Sequence, residues 1–366
     1  MEEKELTDNK SKELKQIYKK EKLWRKICFF SIIFFVVLLL FSVKYYFYPK
    51  IEKIITNRPV NMELGAEAEC KDCVRRYIDG VFVKKGEENF YPMAVIIDNH
   101  IDARPPAGLS GASLVYEAEA EGSITRYLAV FASGENIERI GPVRSARPYF
   151  IDFAKELSAL FVHCGGSPEA LVKISKDNIF GLNEFYNGSY FWRDKSRPAP
   201  HNVFTSMELL NKYIKDKNYD SGKFFSWKFK DEKLPGNNEL NREITINFKY
   251  PDFTVRWNYD IINNEYLRYL NGVIHKDEEG REIKAKNIII QKVKTEVIDE
   301  ELRLKMETAG QGDAIVCLDG VCRSAQWRKN NFSSRTRYYY EDNDEIIFNA
   351  GKIWIEIVRP ELEIEY

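Results

Sequence analysis

The chain is 366 residues long, 44% hydrophobic and 30% charged, a composition that is neither fibrous nor disordered and suffices for two ordinary cores. Its 55 basic and 56 acidic residues leave a formal net charge of -1, which excludes whole-molecule attraction to nucleic acid. No basic tract or RNA-binding signature is present, so positive charge acts only where it is locally gathered.

Segment 1–26 is basic, with nine Lys/Arg against six Asp/Glu. From Ile27 to Val43 the sequence ICFFSIIFFVVLLLFSV carries no charge, and with the aromatic residues after Lys44 it predicts a transmembrane anchor over 27–48. Only Lys44, Lys50, Lys53 and Arg58 follow closely, so the charge bias predicts a cytoplasmic N-terminus and an extracytoplasmic body on a single-pass anchor in the cell membrane. A cleaved signal peptide competes, but the apolar run is long for one and no small-x-small site follows. Lipidation is disfavoured because Cys28 begins the run instead of ending it.

Residues 49–89 read as a stalk with a short ordered piece. The pair Cys70 and Cys73 within it is a zinc half-site without its second half, or a redox pair without its helix, and is taken as a local disulfide or two idle thiols. An α/β domain follows over 90–223, then a join at LPGNNELNRE, then a β-rich C-terminal domain over 234–366. The predicted fold is thus an α/β N-terminal domain plus a mostly antiparallel β C-terminal domain (α+β), preceded by one transmembrane helix.

In the α/β domain, MAVIIDN is a buried strand ending at Asp98. SLVYEAEAEGSITRYLAVFAS forms two strands about Gly122-Ser123, a two-residue hairpin signal. That turn sets Glu121 opposite Ile124 and Glu119 opposite Arg126, with Glu117, Glu119 and Glu121 on one face. IGPVRSARPYF leads into a helix from about Pro148 to Leu157, ALFVH is a strand, and CGGSPEAL opens a helix with Ser167 as N-cap and Pro168 at its first position.

These loops follow strands, where ligands of open α/β sheets gather. Arg144 and Arg147 occupy one; Gly165, Gly166 and Ser167 form another, with backbone N–H groups suited to an anion. Arg126 and His163 project from strands, and Arg193 and His201 come from a long loop. Together they are candidates for an anion-binding pocket beside the carboxylates Asp98, Glu117, Glu119 and Glu121, since guanidinium groups suit bidentate recognition of phosphate or carboxylate. The bland alternative makes Glu119 and Arg126 a buried ion pair and ties the other arginines to carbonyls.

Catalytic residues are not legible. His163 and Cys164 are adjacent on a strand and face opposite ways, although His201 could serve Cys164 instead, and no G-x-S-x-G elbow occurs. Four histidines without an H-x-x-x-H helix argue against zinc; a divalent cation on Asp98 or the glutamates stays open, and the cofactor is unknown.

The stretches AVIIDNHIDARPPAGLSGASLVYEAEAEGSITRYLAVFAS, IGPVRSARPYF, VHCGGSPEAL and FWRDKSRPAPHNVFTS resemble the N-terminal domain of YerB-like bacterial proteins. VRWNYD, RYLNGVIHKDEEGREIKAKNIIIQ and WIEIV resemble that family's C-terminal domain. The resemblance implies a membrane-attached, extracytoplasmic protein of the cell envelope, in a family classed as a domain of unknown function, and implies no activity. Members are commonly lipoproteins, from which this chain departs by having an expected uncleaved helix in place of the lipidated cysteine. The order of elements also resembles the LytR–CpsA–Psr phosphotransferases, implying arginines that hold a lipid pyrophosphate and an acidic residue that holds Mg²⁺. This chain has Arg144-Ser145-Ala146 where those enzymes carry Arg-Asp-Thr.

In the C-terminal domain, TVRWNYD, NIIIQKV, DAIVCLDGVCRSAQW, RTRYYYEDNDEIIF and KIWIEIV alternate as strands. Asp319-Gly320 signals a type I′ hairpin that sets Cys317 opposite Cys322, close enough for a disulfide. Trp257, Trp327 and Trp354 suit a core before they suit sugar stacking, and His275 stands near a turn.

Three functions are carried forward. The first is binding of an anionic wall component, such as a cell-wall glycopolymer, without turnover; the second is a phosphotransferase or hydrolase acting on such a polymer; the third is a non-catalytic scaffold gripping an envelope protein. The enzymatic reading is the weaker.

Overall fold

The computed structural model describes residues 72–366, apart from 133, 135, 220–222 and 233–239, together with positions 24, 29, 34, 35, 38 and 39. The anchor expected over 27–48 lies almost wholly outside the described residues; Phe29, Phe34, Phe35, Leu38 and Leu39 within it are helical and exposed. No helix among the described residues is long and apolar enough to cross a membrane. The chain divides into two compact units, Met1–Cys70 and Lys71–Tyr366.

The second unit is built on a ten-stranded sheet. Its strands are β1 (Met93–Asp98), β2 (Leu114–Glu119), β3 (Thr125–Phe131), β4 (Leu160–His163), β5 (Gly181–Asn183), β6 (Asn287–Lys292), β7 (Gly310–Leu318), β8 (Val321–Lys329), β9 (Arg337–Tyr340) and β10 (Ile353–Val358). Their order across the sheet is β9-β8-β7-β6-β10-β2-β3-β1-β4-β5. Strand β10 pairs in parallel with both β2 and β6, so strands from the two expected domains share one sheet and no break between cores falls at the join. The chain is mixed α/β, strand-rich and poor in helix.

Strands β1, β2, β3, β4 and β10 are buried at every position, which explains why they read as apolar runs: both sheet faces are covered. One face carries Ile96, Tyr116, Leu128 and Phe161 against helix α1 (Pro148–Lys155) and Ala170 of helix α2 (Pro168–Lys176). The other carries Ile97, Val115, Tyr127 and Trp354 against helix α3 (Met207–Asp216) and a second, antiparallel sheet formed by strands between Glu243 and Glu365. The helices begin where side-chain oxygens or proline suit them: Ser167 accepts the Ala170 N–H at 3.3 Å, Ser206 the Leu209 N–H at 3.3 Å, and Pro148 opens α1.

Trp257 and Trp354 are fully buried and Trp327 nearly so, in the core. Cys317 and Cys322 are disulfide-bonded across the β7–β8 hairpin, whose turn residues Asp319 and Gly320 have φ of 53° and 75°. Cys73 is also disulfide-bonded; Cys70 lies outside the described residues. Strands Cys73–Arg75 and Phe82–Lys84 pair as a hairpin within 49–89, read from the sequence as a stalk with a short ordered piece, and Ile78 between them belongs to the core.

The β2–β3 hairpin differs from its expected register by one residue. Glu119 pairs with Thr125, and Ala118, not Glu119, faces Arg126; the loop is Glu121-Gly122-Ser123, with Gly122 and Ser123 at φ of 65° and 62°. A one-residue slip sends every side chain to the other face. Because both faces of β2 and β3 are buried, the hydrophobic pattern could not choose between registers.

Candidate functional site

Seven of the sheet's strands, β1, β2, β4, β5, β6, β8 and β10, point the same way, so Asp98, Glu119, His163, Asn183, Lys292, Lys329 and Val358 end along one edge. Arg126, at the start of antiparallel β3, stands on that edge beside Asp98. The slipped register places Arg126 on the α1 face, away from Glu117 and Glu119.

Segment 144–147 is laid over this edge as extended backbone. Arg144 N–H donates to Ile96 O at 3.0 Å, Cys164 N–H to Arg144 O at 3.0 Å, Ala146 N–H to Gly165 O at 3.0 Å and Ser167 N–H to Ala146 O at 3.2 Å. The route fixes both arginines. Arg144 Nε lies 2.7 Å from Asp98 Oδ2, and Arg147 grips Glu121 with Nε and, at 2.6 Å, with a terminal nitrogen. Arg126 reaches Ser145 O at 3.3 Å and Glu121 at 3.5 Å, while its Nε has no acceptor among the described residues. Three guanidinium groups thus face two carboxylates. Burial, then Arg147 and Arg144, lower the Arg126 pKa to about 10, opposed by Glu121.

Asp98 joins this cluster to the long loop. Its Oδ2 also meets His201 Nδ1 at 2.7 Å, and its Oδ1 accepts the His100 N–H at 3.0 Å. Burial pushes its carboxyl up, but Arg144, the His100 N–H, Arg126 and His201 more than offset that, so Asp98 is held ionised below the usual range. Glu121 is likewise held below its ordinary value: burial opposes, and Arg147 and Arg126 win.

The remaining candidates sit apart. His163 Nδ1 lies 2.7 Å from Gly165 O, and burial lowers its pKa to about 4, so it is neutral at pH 7. The glycine mouth is closed by the protein's own groups: Gly165 N–H donates to Asn183 Oδ1 at 3.0 Å, and Ser167 Oγ caps its helix. Gly165 has φ of 63° and lies under the exposed Phe185 ring, which an added Cβ would meet at 3.0 Å. Arg193 pairs with Glu184 at 2.9 Å and Asn202 at 3.1 Å. The glutamates do not share a site. Glu117 is fully buried against Arg268 at 2.5 Å, Glu119 binds Arg359 at 2.7 Å, and Glu121 alone joins the arginines. The thiol of Cys164 is pushed up to about 11 by burial and Glu184, unsuited to a nucleophile.

The comparisons with known proteins agree with one another. Residues 80–220 match the family described as protein of unknown function (DUF3048) N-terminal domain, and residues 244–355 its C-terminal domain. The protein named "Putative lipoprotein YerB" of Bacillus subtilis (strain 168) is 35% identical over 279 residues, covering 74% of this chain and 82% of that one. The chain belongs to the DUF3048 family. The crystal structure of YerB from Bacillus subtilis superposes with a TM-score of 0.72 at 31% identity, covering 80% of this chain and all of that one. The two DUF3048 segments are therefore the two halves of the shared sheet.

Two features of this DUF3048 protein lie beyond the residues singled out in the sequence. A cavity of about 350 Å³ opens beside the β2–β3 turn, lined by Glu119, Arg359, Lys249, Phe248, Leu302 and Leu362 among others, and so adjoins the arginine cluster without containing it. His100 stacks on His201, ring centroids 4.8 Å apart. The signal for His100 was its place two residues past the β1 end, in a His-x-Asp with Asp102.

Proposed function

We propose that this protein is an extracytoplasmic, membrane-anchored envelope protein that binds a phosphate- or carboxylate-bearing wall component at Arg126, Arg144 and Arg147. The carrying observation is the charge imbalance: three guanidinium groups face two carboxylates, and the Nε of the buried Arg126 has no acceptor among the described residues. A buried cation short of acceptors is relieved by an anion. The exposed rings of Phe185 and Tyr186, beyond the β4 and β5 ends, offer faces on which a sugar could stack.

The test is binding of the full-length chain to a phosphodiester-linked wall polymer. Arg126→Gln removes the surplus cation without stranding a carboxylate, and is expected to weaken binding at least about tenfold, the value of a charge-assisted hydrogen bond. Unchanged affinity in both Arg126→Gln and Arg147→Gln would sink the reading. Release of product from the polymer in the same assay would favour the phosphotransferase or hydrolase alternative; retention by an envelope protein with no affinity for polymer would favour the scaffold.

The anchored topology draws on the uncharged run from Ile27 to Val43, on the lipoprotein name of the Bacillus subtilis relative and on the Cys317–Cys322 disulfide, which suits an oxidising exterior. Protease added to cells stripped of their wall, with the membrane intact, is expected to degrade the body while a tag before Met1 survives; protection of the body would reverse the orientation.

A further inference from the structure

Across Asp98 from Arg144, a second group of side chains converges. His100, Asp102 and His201 place donor atoms within 4.8 Å of one another. His100 Nδ1 lies 3.5 Å from Asp102 Oδ2, near the separation of about 3.4 Å that two ligands of a tetrahedral zinc ion adopt. That nitrogen accepts the Asp102 N–H at 3.2 Å, a bond that a metal at the same nitrogen would replace.

Asp98 prepares His201 for such a role. An ionised carboxylate only accepts hydrogen bonds, so the proton between Asp98 Oδ2 and His201 sits on Nδ1, and in the neutral imidazole that tautomer leaves the lone pair on Nε2. A carboxylate that holds one imidazole nitrogen so that the other can ligate is the usual support of a metal-binding histidine. The buried Asp98 lies outside the cluster itself and fixes the tautomer that ligation needs.

We propose that His100, Asp102 and His201 bind a divalent transition-metal ion, with Asp98 as the positioning residue. Two imidazoles and one carboxylate favour zinc and its neighbours over magnesium or calcium, which prefer all-oxygen sites. Three protein ligands leave a fourth position open, and Asp102, 66% exposed at its side chain, leaves the site accessible from solvent.

The test uses the full-length chain, dialysed against chelator and titrated with zinc alone, so its outcome does not depend on whether the arginines bind a polymer. One zinc per chain is expected, with magnesium failing to compete. Asp102→Asn and His100→Ala are expected to weaken binding at least tenfold, and Asp98→Asn by about 10- to 100-fold as a lost support of a ligand. Cobalt in place of zinc should give the visible absorption of a four-coordinate site, which a merely structural role for Asp98 would leave unmoved in Asp98→Asn. Asp102 is exposed, so its variant is expected to keep the parental urea midpoint. Absence of zinc binding, or stoichiometric binding that persists unweakened in both Asp102→Asn and His100→Ala, overturns the proposal.

Discussion

Replacing Glu156 with Gln is expected to cost about 3 to 5 kcal/mol of folding stability, the usual penalty when one partner of a buried ion pair is removed. Glu156, at the end of α1, is fully buried and faces two cations from the other half of the sheet: Lys329 Nζ at 2.8 Å and the Arg335 guanidinium. Tyr116 OH donates to it at 2.6 Å and Thr336 Oγ1 at 2.6 Å. Gln keeps the shape but leaves Lys329 and Arg335 buried without a counter-charge. The measurement is the urea midpoint at unchanged slope, since a change in slope would signal a different unfolded or native state. Acid supplies a second readout. Burial alone would raise the Glu156 pKa, but Lys329 and Arg335 pull it from 4.5 down to about 2. A carboxyl with a depressed folded-state pKa stabilises above its unfolded value and loses that contribution as pH falls through the folded one. The parent should therefore lose stability between about pH 5 and pH 2 and the Gln variant should lose less. Equal midpoints at pH 7 would remove the claim that this network holds the two halves together.

The individual strands and helices were legible because their signals are local. MAVIID, LVYEAE and LFVH are buried runs, Ser167-Pro168 starts a helix, and Asp319-Gly320 turns a hairpin. What joins them was not legible. Nothing near Val115 announces that it lies beside Trp354, yet that pairing makes one sheet from two family segments. The acidic face was misassigned for a related reason: Glu117 has its partner in Arg268, 151 residues away, whose Nη2 donates at 2.5 Å, and Thr125 Oγ1 supplies a further bond to Glu117 at 2.7 Å. Within the site, the sequence singled out Arg144, Arg147, Arg126 and Asp98 from their places near strand ends, a rule of sheet topology that survives register errors, and His201 from a long loop. It misjudged which carboxylate meets which arginine, because that depends on a turn one residue longer than the Gly-Ser signal suggested. His100 was passed over because its partner His201 is 101 positions distant in the chain.

A fragment ending at residue 232 is expected not to fold, although it contains the whole N-terminal family segment 80–220. Cutting there removes β10, so β2 becomes an edge strand with Leu114–Ala118 stripped of the neighbours that now pair with them. Exposed, long and apolar edges of this kind recruit other chains. The cut also removes the second sheet, whose Ile244, Val255 and Trp257 belong to the same core as Ile97, Val115 and Tyr127. It strands Glu117 without Arg268 and Glu156 without Lys329 and Arg335, two fully buried carboxylates at several kcal/mol each. The sum of these losses exceeds the roughly 5 to 15 kcal/mol by which a domain is stable. Near-ultraviolet circular dichroism and urea titration of the fragment should show no fixed tertiary packing and no cooperative transition, and co-expression with residues 240–366 should restore both. A monomeric fragment with a sharp two-state transition would mean that β2 tolerates an open edge, and that the shared sheet is an association of two independently stable bodies.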